Sequence, residues 1–161
     1  MTVRRSIAAL AVLLCLCLPA VAADLKTELA GGFSYADSDA AQTYTLAFDL
    51  QAPLGKILQV GPAVHLTGID PADGESVNLV QVGGRATLAL TGRDGLYAAA
   101  TALYLTGDGD GYLLVPEIGV RWGGDGGAVR VGVSRPYAYS SEDGAVDLET
   151  TAITAALLLR F

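Results

Sequence analysis

The chain ends on a sharply alternating stretch, Thr151-Ala-Ile-Thr-Ala-Ala-Leu-Leu-Leu-Arg-Phe161. Steps of two back from the terminal aromatic give Phe161, Leu159, Leu157, Ala155, Ile153 and Thr151, a largely apolar row. The row between them carries Arg160, Thr154 and Ala152. A period of two is a β-strand with one greasy face and one mixed face. A terminal phenylalanine left in water forfeits the stabilisation its ring gains on burial, so the ring belongs either inside protein or at a lipid interface. The lipid choice accounts for more of the remaining sequence.

Turn signals recur along the chain at Asp37–Ala40, Ala52–Gly55, Asp70–Gly74, Gly92–Gly95, Gly107–Gly111, Gly123–Gly127 and Ser141–Gly144. Their Asp-Gly and Gly-Asp pairs supply the positive-φ positions of tight hairpins. Seven turns separate eight strands, which predicts an all-β antiparallel meander closed into an up-and-down barrel over residues 24–161. Period-two rows run through most intervals. Tyr44, Leu46, Phe48 and Leu50 oppose Thr45, Ala47 and Asp49; Val80, Val82, Ala86 and Leu88 oppose Gln81, Gly83 and Arg85; Tyr112, Leu114, Ile118, Val120 and Trp122 oppose Glu117, Gly119 and Arg121. The fifth interval, from Leu96 to Thr106, is too uniformly apolar to divide into faces. Pro62, Pro116 and Pro136 fall inside predicted strands, where each removes a ladder hydrogen bond, and bulges are the expected accommodation. A further bulge is expected between Leu148 and Thr151, where the alternation slips.

A soluble lipocalin-like barrel would turn its apolar row inward around an apolar ligand. The inverted arrangement is preferred because Gly61, Gly83, Gly119 and Gly132 interrupt the charged row, as a crowded lumen requires. Tyr35, Tyr44, Tyr104, Tyr112, Tyr137 and Tyr139 gather beside one set of turns, and Tyr97, Trp122 and Phe161 beside the other, as interfacial girdles do. The inward row then holds Lys26, Glu28, Asp49, His65, Arg85, Glu117, Arg121, Arg130 and Arg160. An eight-stranded barrel is just filled by side chains, so these charges must pair, and Arg85 and Glu117 are placed to meet near mid-barrel.

Residues 1–23 read as a cleaved secretory signal peptide: Arg4 and Arg5, an apolar run from Ile7 to Leu18, then Pro19-Ala-Val-Ala-Ala23. The run is shorter than the roughly 20 residues a spanning helix needs. Cys15 and Cys17 lie within it, each preceded by leucine rather than the small residue that lipidation wants. Beyond Ala23, eight Lys and Arg stand against seventeen Asp and Glu, a net charge of −9, which excludes nucleic acid as a partner. Nine of those acids sit in alternate turns that contain no Lys or Arg, so one end of the barrel is acidic.

In this pattern the chain resembles the small eight-stranded outer-membrane proteins of Gram-negative bacteria, the group that includes the OmpA transmembrane domain and OmpX, and also the YfaZ-like family. The resemblance implies residence in the outer membrane as a monomer, contact with its lipid and lipopolysaccharide, and a structural or porin-like permeability role. It also implies that Leu157, Leu159 and Phe161 form the signal read by the barrel-assembly machinery.

Candidate chemistry is sparse. His65 is the sole histidine, so a lipid A-modifying hydrolase would have to be built around it, yet no strand shows His-x-Ser spacing. Gly107-Asp-Gly-Asp-Gly-Tyr112 resembles a calcium loop but is a single copy without a closing Glu. No catalytic residue, metal site or cofactor is expected.

Overall fold

The computed structural model describes residues 27–105, 111–140, 144–147 and 150–161. The expected signal peptide, Lys26, the acidic turn residues Asp108, Asp110, Glu142 and Asp143, and the side chain of Tyr139 lie outside the described residues.

The chain forms β1 (Glu28–Asp37), β2 (Ala41–Pro53), β3 (Leu58–Pro71), β4 (Val77–Ala89), β5 (Leu96–Leu105), β6 (Gly111–Gly124), β7 (Gly127–Ser134), β8 (Tyr137–Ser140), β9 (Gly144–Asp147) and β10 (Ala152–Arg160). Neighbours pair antiparallel around the sheet, and β10 returns to β1, so the sheet closes on itself. Closure pairs the strands on both sides around the wall among the described residues, except at β9, which pairs with β8 alone. The ten segments make eight strands, because β7 with β8 and β9 with β10 are each one strand in two pieces.

The interruptions sit at the prolines. Glu117 faces Ser134 and Leu114 faces Tyr137, three residues apart on both strands, so the register passes unchanged across Pro116 and Pro136. The same holds at Pro62, where Asp49 faces Ala63 and Ala52 faces Val60. The expected bulges are therefore absent at these three positions: the ladder simply opens where proline has no N–H to give. Gly61 makes this possible at Pro62, since a Cβ there would stand 1.7 Å from the Leu50 carbonyl oxygen. The last strand does carry extra chain. Between the Tyr137–Asp147 and Ser134–Ala152 pairs, three residues on one strand span five on the other.

The stagger of the barrel can be read from the pairs. From Ala30 the path through Asp49, Ala63, Gly83 and Leu103 reaches β6 at Leu113, and the opposite path through Leu158 and Ala128 reaches β6 at Gly123, ten residues away. Eight strands with that stagger tilt by roughly 40° from the axis and leave an interior that side chains can fill.

The faces are inverted relative to a soluble barrel. Phe33, Leu46, Phe48, Ile118 and Leu157 point outward and are exposed, whereas Arg85, Arg121, Arg130 and Arg160 are buried with Glu28, Asp49 and Glu117. Among the described residues the buried apolar side chains gather into a cluster of only Ala30, Ala128 and Leu158. Outward aromatics collect at the two rims. Tyr35 packs on Tyr44 at 5.3 Å and Tyr104 on Tyr112 at 5.5 Å at the end distal to the C-terminus, and Tyr137 pairs beside them with Leu114. Trp122 and Phe161 are exposed at the proximal end.

One aromatic assignment is corrected. Tyr97 does not belong to the outer girdle: it is 1 % exposed and points into the lumen. On β5 the alternating residues Tyr97, Ala99, Thr101 and Leu103 are the buried ones, so the polar Thr101 sets the face that the apolar composition hides.

Candidate functional site

The inward row forms two layers of charge. In the proximal layer Glu28, at the start of β1, accepts from Arg121 Nη1 at 2.9 Å and Arg160 Nε at 2.8 Å, with Arg93 Nε at 3.6 Å. Arg160 also donates to Asp94 at 2.6 Å and to the Gly124 carbonyl, and Arg121 donates to Gln59 at 3.2 Å. Register explains the arrangement, for Glu28 lies directly opposite Arg160 across the β1–β10 ladder. The Arg160 guanidinium beside Asp94, in the turn before β5, holds that carboxyl below the usual aspartate range.

The middle layer is centred on Glu117. Arg85 grips it with two parallel hydrogen bonds of 3.0 Å, while Arg85 also donates to Thr101 at 3.2 Å and Thr87 at 3.3 Å. Such fork-to-fork geometry is the strongest form of a charge-assisted pair. Arg130 bonds Asp49 at 3.1 Å and approaches Glu117 at 3.8 Å, and Gln51 donates to Asp49 at 2.5 Å. The Tyr97 hydroxyl donates to Glu117. Its ring lies 5.8 Å from the Arg121 guanidinium and 5.9 Å from that of Arg130, so it joins the two layers through cation–π contacts.

Glycine makes room for that ring. A Cβ on Gly119 would stand 2.7 Å from the Tyr97 hydroxyl, and one on Gly132 would stand 2.6 Å from it. The small residues on the inward rows are thus the space into which the large ones fit.

Above Glu117 the lumen changes character. Thr45, Thr67 and Gln81 form a chain of 3.0 Å hydrogen bonds along one wall. Beyond it opens a cavity of about 260 Å³ whose floor is Arg85, Glu117 and Arg130 and whose walls include His65, Leu79, Leu113 and Val115. The Thr154 hydroxyl, also on the cavity wall, is buried with no hydrogen-bond partner among the described residues.

Glu28, Asp49, Arg85, Glu117, Arg121, Arg130 and Arg160 therefore meet in the two layers, whereas His65 stands apart on the cavity wall. Parity on the assigned strands also marks Gln51, Gln59 and Gln81 as inward, since each shares a row with a charged or threonine neighbour. Asp94 and Arg93 carry no such mark, because both reach the lumen from a turn rather than a strand. Among the described residues no cluster of His, Cys, Asp or Glu is arranged to hold a metal ion.

No protein-family model matches the chain, and no curated protein matches it. Among solved structures, a chain titled "De novo design of transmembrane beta-barrels" is similar at 14 % identity and a TM-score of 0.46, covering 84 % of this chain and 95 % of that one.

Proposed function

We propose that the protein is an outer-membrane β-barrel with a structural or permeability-related role, a packed polar lumen and short acidic outer loops. The observation that carries this reading is the outer face between the rims. Along β6 the outward row runs Trp122, Val120, Ile118, Pro116, Leu114, Tyr112 without a polar side chain. These residues span ten positions, roughly 25 Å along the axis at about 3.3 Å per residue and a tilt of about 40°. That matches the apolar band of a membrane-spanning barrel, aromatic at both edges.

Water is a poor solvent for such a surface. Monomeric soluble proteins rarely expose contiguous apolar patches above a few hundred Å². Between the two aromatic rims Arg135 is the one charged side chain on the outward rows among the described residues, two positions from Tyr137, where its long stem can carry the guanidinium to the distal rim. A soluble carrier with an apolar ligand inside is disfavoured because the buried residues include seven charged side chains.

The signal-like segment Met1–Ala23 supports export, and the row Leu157, Leu159, Phe161 supports recognition by the barrel-assembly machinery. No enzymatic activity is assigned. The test is electrophoretic mobility of the membrane-fractionated protein in SDS with and without boiling. A closed membrane barrel resists SDS until heated and shifts on boiling. One unshifted band in the soluble periplasmic fraction would overturn the reading.

A further inference from the structure

We propose that the distal half of the lumen binds a neutral aliphatic molecule carrying one hydroxyl group, the size of a linear alcohol of about eight carbons. This goes beyond the structural role above and is tested separately from it.

The inward aliphatic side chains are not all covered. Leu103 and Leu158 point into the lumen and are buried. Ile69, Leu79, Leu113 and Val115 share inward rows with Thr67, Gln81 and Glu117, yet each is only half-buried and lines the cavity. The other strands offer them Gly32, Ala47 and Ala152, which are too small to fill the space. Aliphatic surface left open inside a lumen is stabilised when an apolar ligand covers it. The 260 Å³ of the cavity holds roughly nine non-hydrogen atoms at the ~30 Å³ that a water occupies in the liquid.

The floor selects against charge. Arg85 is matched by Glu117 at 3.0 Å and Arg130 by Asp49 at 3.1 Å, so its ion pairs already balance. A charged ligand would give up its hydration there and gain no free counter-ion. A neutral one loses nothing of the kind.

One polar group on the wall is left open. Among the described residues none hydrogen-bonds the His65 ring. The buried atoms that lack a partner are Gln51 Oε1, Arg121 Nε and Thr154 Oγ1, so the His65 nitrogens are not sealed in the wall but open on the cavity. A neutral imidazole accepts at one nitrogen and donates from the other. A hydroxyl satisfies either, and an alkane satisfies neither.

His65 is the only histidine in the chain, so its ring is a unique reporter inside the cavity. The full chain is deuterated, labelled with 13C and 15N at histidine, reconstituted in deuterated lipid nanodiscs and titrated by NMR with octan-1-ol, n-octane and sodium octanoate, each counted per lipid. The expected result is a saturable shift of the His65 ring signals by octanol, with magnetisation transfer between the ring and the octanol methylenes. Octane and octanoate are expected to need at least tenfold more ligand for half the shift. Ala47→Leu and Val115→Phe fill the cavity from different strands, and each is expected to weaken octanol binding at least tenfold. A shift that does not saturate, transfer that is absent, octane or octanoate equal to octanol, or binding unchanged in a filled variant that folds overturns the proposal. The heat-dependent shift in SDS reads the barrel independently, so a barrel that shifts but does not bind octanol refutes the pocket alone.

Discussion

Replacing Arg85 by alanine removes one half of a deeply buried ion pair in the lumen, in which both partners have side chains 4 % exposed. Four hydrogen bonds are lost: two to Glu117 at 3.0 Å, one to Thr101 and one to Thr87. Stripping one partner from a buried pair costs about 3–5 kcal/mol, because the remaining charge stays desolvated. Here Glu117 retains the Tyr97 hydroxyl and gains from Arg130 at 3.8 Å, and the adjoining cavity can admit water. The expected loss is therefore at the lower end, about 3 kcal/mol.

The double variant Arg85→Leu with Glu117→Leu removes both charges and restores apolar volume, so it should lose less than the two single variants together. Urea unfolding in lipid vesicles, followed through the fluorescence of the single tryptophan, Trp122, measures each variant from its midpoint at constant slope. A loss in Arg85→Ala below about 0.5 kcal/mol, the usual scatter of surface substitutions, would refute the claim that the pair is desolvated.

Other substitutions probe other parts of the account. Ile118→Arg places a charge at the middle of the outer apolar row, and an inserted barrel should lose about 2–4 kcal/mol or fail to insert. A water-soluble barrel would tolerate the same change, because Ile118 is exposed. Gly132→Ala sets a Cβ 2.6 Å from the Tyr97 hydroxyl and should lower the unfolding midpoint, with partial recovery when combined with Tyr97→Phe. Asp94 has its pKa lowered by Arg160, so its contribution to stability is present above the ordinary aspartate value near 3.9 and is lost as pH falls through the lowered one. Asp94→Asn should accordingly flatten the acid limb of a stability–pH curve below about pH 4 while leaving neutral behaviour unchanged in shape.

The alternation reads clearly wherever apolar and polar residues contrast. β2, β4 and β10 announce their faces because Asp49, Arg85 and Arg160 stand one step from Phe48, Ala86 and Leu159. β5 gives no such contrast: Leu-Tyr-Ala-Ala-Ala-Thr-Ala-Leu-Tyr-Leu is apolar on both rows but for Thr101, so its composition alone does not turn Tyr97 inward. What turns Tyr97 inward is the empty volume at Gly119 and Gly132, two residues on different strands whose meeting requires the register of β6 against β7.

The prolines illustrate a second limit. A sequence shows that a ladder bond must be missing, but an opening and a bulge differ only in how many residues the partner strand spends, and that count is a property of the pair. The lumen charges are visible singly by parity. Their partners follow from a ten-residue stagger that no local pattern encodes.

The most direct measurement of the central claim uses Trp122, which is 56 % exposed on the outer face at the proximal rim. The purified protein is reconstituted in vesicles containing lipids brominated at different depths, and tryptophan quenching is recorded for each. A membrane-spanning barrel with this rim predicts strong quenching that is greatest for the shallowest bromines. Trp122 emission that no brominated lipid quenches would contradict it.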